Sequence, residues 1–192
     1  GTYLGSNWNQ SKINTDFYLA KGIVENILNY LGLKNRYTYE VSAIDGMHPG
    51  MCAKILLDRE PIGVIGRIHP SIKKDDIYLI ELSLNKLIKP VKKIKYKESS
   101  KYPEIKKDVS FIVDNSTTCK TLEDTIKKSG GRLLADISLF DVYHDNNNEK
   151  SLAFSLTFKD NEKTLTDEEV MTIFNKIITD VTTKCNAKLK SI

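Results

Sequence analysis

The sequence predicts an α+β chain made of two mostly antiparallel parts. Three observations carry this prediction. One amphipathic stretch near the start is followed by short extended runs punctuated by turn dipeptides. A lysine-rich run then interrupts the pattern near the middle of the chain. Beyond it, extended and helical stretches follow in the order β-α-β-β-α-β. Strands and helices in such runs form layered α+β domains, and 192 residues accommodate two small ones.

In the first part, Ala20, Ile23, Val24, Ile27, Leu28 and Leu31 recur at helical spacing. Asn14 or Thr15 is the expected cap, and Gly32 suits a left-handed stop. Extended runs follow at residues 37–44, 52–58, 62–68 and 77–84. Asp45-Gly46, His48-Pro49 and His69-Pro70 are the turn signals between them, and a hairpin is expected across Asp58–Pro61. The run NKLIKPVKKIKYKESS contains Pro90 and only loose alternation in Val91, Ile94 and Tyr96. It reads as an extended connector, with the boundary near residues 94–99 and domains over 1–95 and 99–192.

The second part is more sharply patterned. Val109, Phe111 and Val113 alternate with Ser110 and Ile112 as a strand. A helix follows that Thr118 can cap, with Leu122 and Ile126 inward and Gly130-Gly131 as its stop. LLADISLFDVY (133–143) is the second strand, and DNNNEK is an Asn-rich turn. In SLAFSLTFKD, Leu152, Phe154, Leu156 and Phe158 alternate with Ser151, Ala153, Ser155 and Thr157. Thr166-Asp-Glu-Glu169 is a capping box, and Val170, Ile173, Phe174, Ile177, Ile178 and Val181 carry its helix onward. NAKLKS closes the order as a short strand, completing a ferredoxin-like split βαβ arrangement. Both helices then cover the apolar row, and the Ser/Ala/Thr row is left on an open face. Small side chains there let flat groups such as bases approach closely; the plainer reading is a solvated face.

The composition, 40% hydrophobic and 28% charged, is that of a globular chain. The formal charge of +4 is too small to mark a nucleic-acid binder by itself. Its distribution says more. Gly1–Glu98 holds 15 basic and 10 acidic residues, whereas Ser99–Ile192 holds 14 and 15. A polyanion bound by the second part therefore has to be met by a local patch. Cys52, Cys119 and Cys185 are widely spaced without a Cys-x-x-Cys pair, which fits a reducing cytoplasm better than a disulfide framework or zinc knuckle. No apolar stretch has the ~18 residues of a membrane span. GTYLGSNWNQ lacks a signal pattern and begins without methionine, which reads as an excised piece.

Catalytic chemistry finds little support. His48 and His69 precede prolines and read as turn residues. His144 lies near Asp141 and Asp145, without the ligand spacing of a metal site. There is no Gly-x-Ser-x-Gly, and Cys52 has no orienting partner legible in sequence. GVIGRI lacks the spacing and lysine of a phosphate loop. Asp167, Glu168 and Glu169 are explained by the helix dipole. No catalytic residue and no metal ligand is expected. The lysines of 86–97 read as a solvated linker, whereas Lys101, Lys106 and Lys107 adjoin the small-residue strand. Tyr102 adds a flat ring, and rings beside cations hold unpaired bases and their phosphates. Lys101, Tyr102, Lys107, Ser110 and Ser155 are thus the expected RNA-binding residues.

Four motifs in order, KYPEIKKDVSFIVD, GGRLLADISLFDVY, EKSLAFSLTFKD and KTLTDEEV, resemble the ferredoxin-fold anticodon-binding domain of the bacterial phenylalanyl-tRNA synthetase beta subunit. The first part is similar to the preceding region of that subunit. It carries NWNQSKINTDFYLAKGIVENILNYLG, HPGMCAKI and GVIGRIHP. Two departures stand out. Met51 replaces an arginine common after the family's His-Pro-Gly, and Lys107 replaces an arginine common before the first-strand aspartate. Lysine keeps that charge and loses the bidentate fork.

The resemblance implies a fold of a class II synthetase core-like part followed by a ferredoxin-like domain. It implies a C-terminal fragment of phenylalanine-tRNA ligase that binds the tRNA anticodon region and braces a catalytic alpha subunit. The whole enzyme would be a cytoplasmic heterotetramer of two alpha and two beta subunits, with ATP and Mg2+ used outside this fragment. No membrane is implied. The alternative is a ferredoxin-like protein-interaction or regulatory module without RNA binding.

Overall fold

The computed structural model describes residues 1–88, 101–145 and 148–190. It is α+β with antiparallel sheets throughout, as the residue patterns predict. The chain divides into two compact units, Gly1–Lys95 and Tyr96–Ile192. The expected extended connector starts instead within a helical turn, Leu84–Leu87; its residues 89–100 and the boundary lie outside the described residues, as do Asn146 and Asn147 of the Asn-rich turn.

In the first unit, β1 (Thr2–Leu4) and β2 (Ile13–Asn14) pair as a small ribbon. Helix α1 (Phe17–Tyr30) follows, and its cap is Asp16 rather than Asn14 or Thr15. The Asp16 carboxylate accepts from Leu19 N at 2.7 Å, serving an N–H the first turn leaves unpaired. At the other end Gly32 has φ +73°, Leu33 N donates to Leu28 O and Gly32 N to Asn29 O. This pairing is a Schellman stop, and fully buried Leu33 supplies its apolar contact.

Strands β3 (Tyr37–Val41), β4 (Met47–Leu57), β5 (Glu60–Ile68) and β6 (Tyr78–Leu82) form a meander in chain order. Short helix α2 (Leu84–Leu87) ends the described part of the unit. The expected hairpin is present: Asp58 and Arg59, with φ +51° and +72°, join β4 to β5 in the positive-φ form that matches strand twist. Arg36 clamps that turn through both carboxylate oxygens of Asp58, at 3.1 and 2.5 Å. His48-Pro49 is not a turn between elements. Residues 48–51 lie within β4 as a wide bulge opposite Arg67 alone, because Met47 pairs with Ile68 and Cys52 with Gly66.

Ala20, Val24 and Leu28 of α1 pack on Ala53, Ile55, Leu57, Ile62 and Ile65. The buried stripe is narrower than the spacing predicts: Ile23, Ile27 and Leu31 are 39%, 41% and 37% exposed. The sheet touches only one side of the helix.

The second unit runs β7 (Ile105–Asp114), α3 (Cys119–Gly130), a 3₁₀ turn (Gly131–Leu133), β8 (Leu134–His144), β9 (Glu149–Phe158), α4 (Asp167–Lys184) and β10 (Lys188–Leu189). The sheet order is β10-β7-β9-β8, antiparallel at every pairing. Thr118 caps α3 by accepting from Thr121 N. Thr166 and Glu169 make the reciprocal bonds of the capping box on α4. Phe111, Phe154, Leu156 and Phe158 are fully buried with Leu122, Ile126, Val170, Ile177 and Val181 from the helices. Each such side chain stabilises the fold by about 1.5–3 kcal/mol of apolar burial.

Candidate nucleic-acid interface

The register of the second sheet decides which side chains share its helix-free face. Directly opposed residues on antiparallel strands point the same way. Ser110 stands opposite Ala153, Asp108 opposite Ser155, and Lys106 opposite Thr157. On the other side of β9, Ser138 stands opposite Ser155, Asp141 opposite Ala153, and Tyr143 opposite Ser151. The row Ser151, Ala153, Ser155, Thr157 is thus the central strip of the open face, with Ser110 beside it. Ser110 Oγ and Ser151 Oγ are hydrogen-bonded at 2.9 Å.

Lys107 is not part of this face. It stands opposite Leu156, which is fully buried on the helix side, so its side chain points with the core row. Its ammonium lies 3.9 Å from Asp167 Oδ1 in the first turn of α4. Proximity of Lys107 to Ser110 in sequence hid this, because strand alternation puts positions three apart on opposite faces. The structure groups Ser110 with Ser155. Lys101 and Tyr102 precede β7, outside the strand and exposed at the surface. Lys106, beyond the expected set, does stand on the open face, with Glu104 3.5 Å away.

Three further residues complete the face. Lys190 donates its backbone N–H to Ser110 O, and Lys188 pairs with Ile112, so both side chains fall on the open side of β10. Alternation with buried Ala187 carried that signal in the sequence. Tyr143 carried no such signal. Register shifts between Leu134 and Asp136, and between Leu139 and Asp141, reverse the alternation along β8. Tyr143 is 59% exposed, and the Lys190 ammonium lies 5.8 Å from its ring centroid. Tyr143 stands beside Ser151 in the register, and Ser151 and Ala153 are buried on this face without a helix.

The charges on this face are graded across the sheet. Lys188 and Lys190 stand on the β10 edge, and Asp136 and Asp141 on the β8 edge. Lys106, Asp108 and Asp114 share β7 between them, with Glu149 of β9 opposite Asp114. The face therefore offers small side chains, hydroxyls and one aromatic ring, with cations along one margin. Such a surface suits flat polar groups attached to a phosphate chain.

Comparison with known proteins agrees with this architecture. The family profile described as ferredoxin-fold anticodon binding domain matches residues 100–190. The profile described as phenylalanyl tRNA synthetase beta chain CLM domain matches residues 1–84. The chain is 37% identical to a phenylalanine–tRNA ligase beta subunit of Bacillus cereus, over 99% of its own length and 25% of the relative's. It is 36% identical to that of Shouchella clausii over 100% and 25%, and 33% identical to that of Listeria monocytogenes over 99% and 25%. The chain belongs to the phenylalanyl-tRNA synthetase beta-chain family. It spans about a quarter of the length of the beta subunits it matches. Within the phenylalanyl-tRNA synthetase beta-chain frame, the open face described above lies in the ferredoxin-fold anticodon binding domain.

Proposed function

We propose that the second unit holds the anticodon region of a tRNA on the open face of its sheet, as part of a phenylalanine-tRNA ligase. The observation that carries this reading is the helix-free strip of small side chains Ser110, Ser151, Ala153 and Ser155, bounded by Tyr143 and by the lysines of β10. Unpaired bases lie on small side chains and a ring, while the phosphate chain follows the cations. Lys101 and Tyr102, exposed just ahead of β7, are assigned as secondary contacts. Lys107, turned to the helix side, is outside it.

The first unit is assigned to assembly with a catalytic alpha subunit, in a cytoplasmic enzyme of two alpha and two beta chains. Support comes from its unpartnered apolar side chains: Trp8 is 95% exposed, Tyr30 92% and Val41 82%. Large apolar side chains exposed to this degree are available for burial against a partner chain. Phenylalanine activation with ATP belongs to the alpha subunit in this reading. Residues here do not fit a magnesium site, since among the described residues no three His, Cys, Asp or Glu side chains gather as metal ligands. Among the described residues, no helix is long and apolar enough to cross a membrane.

The test is binding of the 192-residue chain to the anticodon stem-loop of phenylalanine tRNA, against a stem-loop with the anticodon bases replaced. Preferential binding, with crosslinks on β7, β9 and β10, is expected. Equal or absent binding of both stem-loops at low salt overturns the reading, and favours a module that pairs with protein.

A further inference from the structure

The margin of the open face is where a phosphate chain would have to run, and the two margins are chemically opposite. On β8, Asp136 and Asp141 repel phosphate. On β7, Lys106 is held near Glu104 and stands two residues from Asp108. Lys107 is on the other face, 3.9 Å from Asp167. Lys188 and Lys190 remain, two residues apart on one edge strand and on the same side of it. One strand repeat of two residues spans about 6.8 Å, close to the spacing of successive phosphates in an extended single strand.

Both lysines occupy weak, replaceable positions. Lys188 reaches over Ile112 to Glu149 Oε1 at 3.0 Å, with the lysine side chain 74% exposed. Exposed ion pairs of this kind are readily exchanged for a stronger anion. Lys190 reaches across β7 and β9 to rest over the Tyr143 ring. It thereby occupies a ring face that an incoming base would use. A cation over a ring at an exposed site is held weakly, whereas an ammonium–phosphate contact is charge-assisted.

We infer that Lys188 and Lys190 are the phosphate-contacting residues of the open face, and that Lys190 leaves the Tyr143 ring for a phosphate when RNA binds. This inference rests on the proposed function of the same face and adds the direction of the bound strand, which lies along the β10 edge. In the free chain Lys190 is a placeholder on the ring; in the complex the ring is released to the bases.

The experiment is anisotropy of a labelled anticodon stem-loop titrated with the chain, from about 50 to 200 mM salt. Lys188→Ala and Lys190→Ala are each expected to weaken binding and lower the slope of log affinity against log salt by about 0.7–0.9, irrespective of anticodon sequence. Lys190→Arg should restore the slope, which separates lost charge from lost fold. Lys107→Ala should leave it unchanged. In the free chain, Lys190→Ala should move the Tyr143 ring resonances, and in wild type RNA should move them in the same titration that ties up Lys190. If the stem-loop binds and the double variant Lys188→Ala/Lys190→Ala keeps the full slope, the inference falls while RNA binding stands. If the wild-type chain binds no stem-loop even at low salt, the functional reading itself falls and takes the inference with it.

Discussion

At Gly63 a single missing Cβ holds two strands together. A methyl group built there would sit 2.0 Å from Glu81 O, a backbone atom of β6 that cannot swing aside. Gly63→Ala is therefore expected to destabilise the first unit by about 1–3 kcal/mol through forced strand separation, read as a lower urea midpoint. Lys107 makes the contrasting case. Lys107→Glu places an acid beside Asp167 and should cost about 0.5 kcal/mol or less, the range of an exposed pair. Its tRNA affinity at low salt should stay within twofold of wild type. Single residues were the hardest level to read from sequence. Lys107 and Ser110 are three apart and both polar, and only the pairing partners Leu156 and Ala153 separate their faces. Asp16 lost the cap to Asn14 and Thr15 in the sequence reading because all three can accept a hydrogen bond. The backbone path that turns one of them toward Leu19 N is not a local property.

Elements were far more legible, wherever the hydrophobic period ran unbroken. Strand β9 alternates over its whole length, so its apolar row and its open row were both foreseeable. The bulged strand β8 defeated the same method, since each register shift reverses inside and outside. Helix α4 was legible from both its stripe and its cap. Thr166→Ala should cost about 1 kcal/mol and fray the first turn, visible as faster amide exchange at Glu169. Among the described residues, folding holds the Asp114, Glu169 and Asp180 carboxylates below their ordinary pKa. Asp180 is lowered first by the Ser129 hydroxyl at 2.5 Å and then by Lys184. Glu169 is lowered first by Lys163 and then by the Thr166 backbone N–H, and Asp114 by the Ser116 side chain and backbone. A depressed carboxylate adds stability that is complete above its unfolded pKa and is lost as pH falls through its folded one. The second unit should therefore be flat in stability at neutral pH and weaken below about pH 4. Ser129→Ala should move the Asp180 titration upward toward the ordinary value, followed by carboxyl resonances in an NMR titration.

For the molecule as a whole, each unit has a core of its own among the described residues. Phe154→Ala, removing a fully buried ring from β9, should cost the second unit about 3–5 kcal/mol. Amides of α1 should keep their exchange protection while those of β7 and β9 lose it. In the sequence a lysine-rich run separates the two patterns, and the chain divides into two compact units. The exposed flank of α1 was not, since Ile23 and Ile27 look as core-like in sequence as Val24 and Leu28. A side chain's apolar character says what it can bury against, and only the packed neighbours say whether anything is there.

The same backbone atoms that pair Phe154 and Leu156 into the core also fix Ser155 between them on the opposite side. A one-residue slip of β9 would drive its hydroxyls into the interior and its phenyl rings into water. The interface strip thus has no independent way to rearrange, and it is as rigid as the sheet that carries it. Ordering this strip for a ligand was accomplished when the domain folded, so association should pay conformational entropy chiefly on the RNA and at Lys188 and Lys190. The corollary is evolutionary: this surface can change its preferences by substitution at alternate positions, but not by shifting strands.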